Sequence, residues 1–208
     1  MIRVLIADDH VLVRRGLRDL IEEEPDLAFA GEAATARDLV ALARTTEWDV
    51  AVIDLSLPDA KGLELLKQLK SWFPERPVIV LSMHPEEQYA VRAIKSGAAT
   101  YLTKEGATTE QLVAIRKVAR GGRYVSASLA DRLAEDVTRA GGLPHEQLSD
   151  REFEVLRLIA SVKSVGDIAT ALSLSIKTVS TYRTRILQKM NLKHNAELTR
   201  YAIEHGLA

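Results

Sequence analysis

The chain has 208 residues, 47% of them hydrophobic, with 28 Lys and Arg against 29 Asp and Glu for a formal net charge of -1, which leaves room for one or two globular domains with packed cores. It contains no cysteine, so disulfides, thiolate metal sites and cysteine nucleophiles are excluded. The apolar opening Ile2 to Ala7 is cut off by Asp8 and Asp9, and no later apolar run approaches the length of a membrane span, so a soluble, unexported, cytoplasmic protein without membrane contact is expected.

From the amino end, short β-rich runs recur at 2–7, 27–32, 50–53, 78–81 and 100–102. Helical spacings lie between and after them, as in Leu39/Leu42/Ala43, Leu63/Leu66/Leu69 and Leu112/Ile115/Val118/Ala119. Strand and helix alternating in this way predict a parallel, doubly wound, five-stranded α/β sheet. Thr108 with Gln111 reads as a capping box for the fifth helix and Gly121-Gly122 as its end, which closes a first domain at 1–121. Residues 122–145 form a linker, with a helix expected over 126–139 because Leu129, Leu133 and Val137 recur every four positions. The face on which that stripe packs is left open. Gly141-Gly142 and Pro144 break the helix.

Beyond the break, at 146–208, the pattern is wholly helical. Ser149 with Glu152 and Ser164 with Asp167 are capping boxes, Ser175 caps a third helix over 176–190, and a fourth runs from about Asn195 to His205. Four helices in about 60 residues make a small bundle of the size of a DNA-binding module. Residues 145–208 carry nine basic and seven acidic side chains, and 177–193 hold five basic and no acidic ones, inside a chain that is otherwise mildly acidic.

In a doubly wound sheet, ligands bind outside the carboxyl ends of the strands. Asp8 and Asp9 follow the first strand, Asp54 the third, Ser82 the fourth and Lys104 the fifth. Carboxylates so gathered repel one another unless a pKa rises or a hard, oxygen-seeking cation such as Mg²⁺ holds them, and a nearby lysine suits a bound phosphoryl group. Ala7-Asp8-Asp9-His10, the run Val52 to Asp59 with Gly62, Ser82 and Thr103-Lys104 resemble the receiver domain of response regulators over 1 to about 120. That resemblance implies a flavodoxin-like fold and Asp54 as the nucleophile toward a phosphohistidine of a partner histidine kinase. It further implies Mg²⁺ organised by Asp8, Asp9, Asp54 and the Ser56 carbonyl, phosphoryl oxygens held by Ser82 and Lys104, and Tyr101 as a switch aromatic.

On a helical wheel over 176–190, Val179, Ile186 and Met190 share one face, with Ile176 and Leu187 at its margin. Lys177, Ser180, Thr181, Thr184 and Gln188 fall opposite, a hydroxyl-rich face suited to the major groove of double-stranded DNA. Lys177, Tyr182, Arg183, Arg185 and Lys189 are placed to meet phosphates. The runs 148–156, 167–169, 175–182 and 189–192 are similar to the LuxR-type helix-turn-helix output domain, and both halves together resemble the NarL/FixJ family. This implies Ser180, Thr181 and Thr184 in the groove, a last helix that joins two output domains, and a homodimer formed on phosphorylation, with RNA polymerase as a further partner. Two positions depart from the family. Val162 stands where it carries a helix-ending glycine, leaving open whether the turn is left-handed, and His194 replaces a capping serine. An aspartyl-phosphate hydrolase is the rival reading, but Ser56 occupies the place of that class's second aspartate, so a non-enzyme is expected. A receiver that acts without phosphate is the other alternative.

Overall fold

The structure, a computed structural model, describes residues 1–60, 63–106, 108–126, 129–131, 133–134 and 143–207, without the side chains of 87, 88 and 108. Gly62, Val137, the Gly141-Gly142 break and the Thr108 side chain lie outside the described residues. The chain divides into two compact units, Met1–Ala134 and Glu135–Ala208.

In the first unit β1 (Ile2–Ala7), β2 (Leu27–Ala33), β3 (Val50–Ile53), β4 (Val78–Ser82) and β5 (Thr100–Thr103) alternate with α1 (Val11–Glu22), α2 (Ala36–Thr45), α3 (Glu64–Trp72), α4 (Glu86–Lys95) and α5 (Thr108–Ala119). The strands form one parallel sheet in the order β2-β1-β3-β4-β5, the doubly wound arrangement expected from the alternation. β3 and β4 are buried at every residue, as inner strands covered on both faces must be. Successive strand side chains face opposite layers. Leu5, Ala51, Ile53 and Val80 pack with Leu39, Leu66 and Ala90 of α2, α3 and α4, whereas Val4, Ile6, Val52 and Ile79 pack with Leu17, Ile21, Ile115 and Val118 of α1 and α5. Gly121, at φ 78, closes α5: its N–H and that of Gly122 bond to the carbonyls of Val118 and Lys117, both at 3.0 Å. Beyond it, Leu129 is fully buried in the α2–α4 layer and Leu133 packs against the same layer, so these two residues of the apolar stripe belong to this unit.

In the second unit a 3₁₀ turn (Pro144–Gln147) precedes α6 (Asp150–Ala160), α7 (Val165–Ala171), α8 (Ile176–Lys189) and α9 (Asn195–Glu204). Reciprocal capping boxes open α6 and α7, from Ser149 with Glu152 and Ser164 with Asp167, and Ser175 Oγ accepts the Thr178 N–H to open α8. His194 precedes α9 without a side-chain cap. Phe153, Leu156, Ile168, Val179, Ile186, Leu198 and Ala202 fill the core between them. Val162 is left-handed at φ 60, so the first turn keeps the shape that glycine would give it.

Candidate functional site

The acidic site follows from strand composition. β1 and β3 are apolar where the sheet covers them, so the first polar residues, Asp8 and Asp54, emerge at the carboxyl edge. Ladder contacts continue one step beyond the strands: Asp54 N–H bonds to Ala7 carbonyl at 2.7 Å, Asp8 N–H to Ala33 carbonyl at 3.1 Å and Lys104 N–H to Ser82 carbonyl at 2.9 Å. Neighbouring strand ends are thereby held side by side.

Asp8 and Asp54 are 1% and 2% exposed, and the Lys104 ammonium lies between them, 2.5 Å from Asp8 Oδ2 and 2.7 Å from Asp54 Oδ2. Burial works against the charge on Lys104, but its bonds to Asp54 and Asp8 outweigh that and raise its pKa above the ordinary lysine value. Asp9 stands exposed beside the pair, and donor atoms of Asp8, Asp9, His10 and Asp54 all lie within 4.8 Å of one another. Three carboxylates and one ammonium leave two negative charges. A divalent cation with oxygen ligands matches that balance, so the residues present fit Mg²⁺.

The remaining expected residues surround this centre. Ser56 is exposed, and its N–H holds Asp54 Oδ1 at 3.0 Å, orienting the carboxylate. Ser82 is fully buried with its Oγ accepting the His84 N–H at 3.2 Å. Tyr101 is also fully buried, and its hydroxyl donates to the His84 carbonyl at 2.8 Å. Ser82 and Tyr101 thus share one loop residue, His84.

Three contributors were given no role by sequence reasoning. Arg14, on α1, donates to the Asp8 carbonyl at 2.6 Å and fixes the turn that presents both aspartates. His10 Nδ1 lies 2.7 Å from Asp9 Oδ1 and 3.2 Å from Asp8 Oδ1. Asp59 accepts from the Ala36 and Arg37 N–H groups at 2.6 and 3.0 Å, clasping the loop after Asp54 onto the amino end of α2; against a desolvation that works the other way, those backbone bonds hold its carboxyl below the usual range. The adjacent Ala7-Asp8-Asp9-His10 signature could have flagged His10. Nothing in the sequence pairs Asp59 with residues 22 and 23 positions earlier.

In the second unit α7 and α8 are joined through 172–175, a helix-turn-helix connection. Lys177, Ser180, Thr181, Thr184, Arg185 and Gln188 are exposed on α8, while Tyr182 and Arg183 are half-buried. The Thr181 and Thr184 hydroxyls donate to the Lys177 and Ser180 carbonyls at 3.0 and 3.1 Å, leaving their oxygens as outward acceptors. Two of the expected phosphate contacts hold partners inside the domain: Arg183 Nε donates to Asn195 Oδ1 at 2.6 Å, and Lys189 Nζ lies 2.7 Å from the buried Glu152 carboxylate. Ile176, placed by the wheel at the margin of the buried stripe, is 62% exposed, whereas Val179 in the same turn is fully buried.

Comparison with known proteins matches residues 4–116 to the response regulator receiver domain and 146–202 to bacterial regulatory proteins of the luxR family. Among curated proteins, the chain is 36% identical to the response regulator UvrY of Escherichia coli, covering all of this chain and 96% of that one. It is also 36% identical to the response regulator GacA of Pseudomonas aeruginosa, covering all of this chain and 98% of that one. Among solved structures it resembles RcsB from Salmonella enterica serovar Typhimurium bound to promoter rprA in the presence of phosphomimetic BeF3-, with a TM-score of 0.65 and 30% identity over 97% of this chain and 98% of that one.

Proposed function

The chain belongs to the NarL/FixJ family of two-component response regulators, with a receiver and a DNA-binding output domain, and we propose that Asp54 is the phosphoacceptor through which a histidine kinase controls its binding to DNA. The observation that carries this reading is the Lys104 ammonium held between the buried carboxylates of Asp8 and Asp54. An Asp54 carboxylate oxygen forms the new P–O bond while the P–N bond of the donor phosphohistidine breaks and its electron pair returns to the imidazole. Lys104 then moves from carboxylate to phosphoryl oxygen, and Ser82 turns its hydroxyl toward a second one. Asp8, Asp9, Asp54 and the Ser56 carbonyl would hold Mg²⁺, which supplies charge neutralisation on the phosphoryl oxygens when bound. Tyr101 follows the loop through the His84 carbonyl.

The output side of this reading rests on the exposed hydroxyl and cationic face of α8 and on RcsB, whose structures include complexes with promoter DNA. Two output domains on half-sites about one helical turn apart supply the specificity that one set of Ser and Thr contacts lacks. The cytoplasm, where kinase and DNA meet it, is the site of action. Mass measurement after incubation with acetyl phosphate and Mg²⁺ tests the receiver: the wild type should gain one phosphoryl group and Asp54→Asn none, since an amide cannot form the acyl phosphate. Gain by the variant would move the nucleophile elsewhere.

A further inference from the structure

Residues 123–126 run from the end of α5 back toward the amino ends of α4 and α5, and the helical residues 129–131 follow. Tyr124 packs on the α1–α5 layer and Val125 on the α2–α4 layer, so this strap straddles the sheet beside its edge strand β5. Two hydroxyl-to-carboxylate bonds fasten it. Tyr124 donates to Glu110 Oε1 in the first turn of α5 at 2.8 Å, and burial together with that bond pushes its hydroxyl up to about 12. Ser126 Oγ donates to Glu86 Oε1 in the first turn of α4 while it accepts the Leu129 N–H at 3.1 Å, so one side chain both caps the next helical turn and ties it to α4. Leu129, fully buried, seats that turn.

Glu86 follows directly on the loop that reads the acidic site. Ser82 Oγ accepts from His84 N–H, Tyr101 donates to His84 carbonyl, and the His84 ring stacks on Tyr89 of α4 with centroids 4.7 Å apart. A Ser82 hydroxyl that turns to a phosphoryl oxygen gives up the geometry it offers His84, and Pro85, the one residue between His84 and Glu86, carries any resulting shift to Ser126. Resting on the phosphorylation of Asp54 proposed above, we infer that Glu86 and Ser126 form a latch: closed, it seats the Leu129 turn on the receiver, and phosphorylation opens it, lengthening the tether to the output domain. Both are positioning residues, remote from the reacting atoms.

The absence of cysteine from the native chain allows a direct test. Glu86→Cys and Ser126→Cys in the full-length protein are joined by a short, reducible bis-methanethiosulfonate bridge. Phosphoryl uptake from acetyl phosphate is read by mass, and affinity is read on a paired half-site duplex selected from a random library. The bridged protein should take up phosphate within about twofold of the unbridged rate yet lose its phosphate-dependent gain in affinity, and reduction should restore the gain. Ser126→Ala, a milder change, should raise the affinity of the unphosphorylated protein severalfold and speed hydrogen exchange at Leu129 and Ala130. A bridged protein that responds to phosphate as the wild type does overturns the latch alone. A wild type that takes up no phosphoryl group overturns the Asp54 reading, and the latch with it.

Discussion

Replacing Val162 with glycine should stabilise the output domain, and the gain can be worked from its surroundings. The residue sits at φ 60 immediately after α6, and the N–H groups of Val162 and Lys163 bond to the carbonyls of Ile159 and Leu158 at 3.0 and 3.1 Å, the double closure of a Schellman turn. A β-branched residue held left-handed costs about 1–2 kcal/mol. Its side chain is 85% exposed, so removing it forfeits almost no packing. Glycine's greater freedom in the unfolded chain returns about 0.4–1 kcal/mol, leaving a net gain between about 0 and 1.6 kcal/mol, centred on about 0.8. For a domain of this size the central value raises the melting temperature by about 3–6 °C. Both tryptophans, Trp48 and Trp72, lie in the receiver, so their fluorescence is silent about this domain; hydrogen exchange of α6 core amides such as Phe153 and Leu156 in the full chain is the suitable assay. The same turn follows α7 at Ser173 (φ 53) and α8 at Asn191 (φ 54), which gives an internal control. Asparagine tolerates this region best, so Asn191→Gly should gain least, with Ser173→Gly between. Loss of stability at Val162, or a larger gain at Asn191, would refute the reasoning.

Lys104→Ala should still gain phosphoryl mass with acetyl phosphate yet lose the phosphate-dependent rise in DNA affinity, because no cation remains to exchange carboxylate for phosphoryl oxygen; an intact response would remove Lys104 from the switch. Asp59→Ala, which strips two backbone donors at the start of α2 of their acceptor, should lower receiver stability by about 1 kcal/mol in a urea melt followed by tryptophan fluorescence, with Asp59→Asn recovering part of it. Burial opposes ionisation of Glu152, but bonds from Lys189 and Ser149 outweigh it and hold its carboxyl below the ordinary 4.5. Its contribution is therefore present above pH 4.5 and lost as pH falls through the lower native value, so Glu152→Gln should flatten that acid-side slope in exchange of the α6 amides. Arg185→Ala should weaken binding to all duplexes alike and reduce the salt slope by about one unit per output domain, whereas Lys189→Ala should lower stability and leave the slope nearly unchanged; equal slopes for both variants would undo the distinction.

Much of this architecture is legible in the sequence, for a physical reason. Parallel strands buried on both faces are apolar where the sheet covers them, so the first polar residues after the covered parts of β1, β3 and β4 fall at the carboxyl edge as Asp8, Asp54 and Ser82, and Lys104 follows the end of β5. Capping boxes are equally local, since Ser149 and Glu152 or Ser164 and Asp167 satisfy one helix end within four residues. The stripe Leu129/Leu133 is different. Spacing shows that it has an apolar face but carries no address, and only the fold shows that the face lies on the α2–α4 layer.

The same limit governs charge. The sequence assigns Lys189 and Arg183 to phosphates, but it cannot know that Glu152, 37 positions before Lys189, and Asn195, 12 positions after Arg183, hold them inside the domain. A cation with a buried carboxylate beside it is costly to withdraw and poorly available to a phosphate, because leaving Glu152 unpaired in its place would carry the full penalty of an uncompensated buried charge. The basic surface of α8 therefore contracts from the residues that the sequence nominates to Lys177 and Arg185, exposed alongside Ser180, Thr181, Thr184 and Gln188. On the proposed reading, with Lys177 and Arg185 as the cations of this α8 surface, the helix itself would make few phosphate contacts, and a second domain on the same duplex would contribute proportionately more to affinity. Control of pairing by the receiver would then be an effective place for the proposed phosphorylation of Asp54 to act.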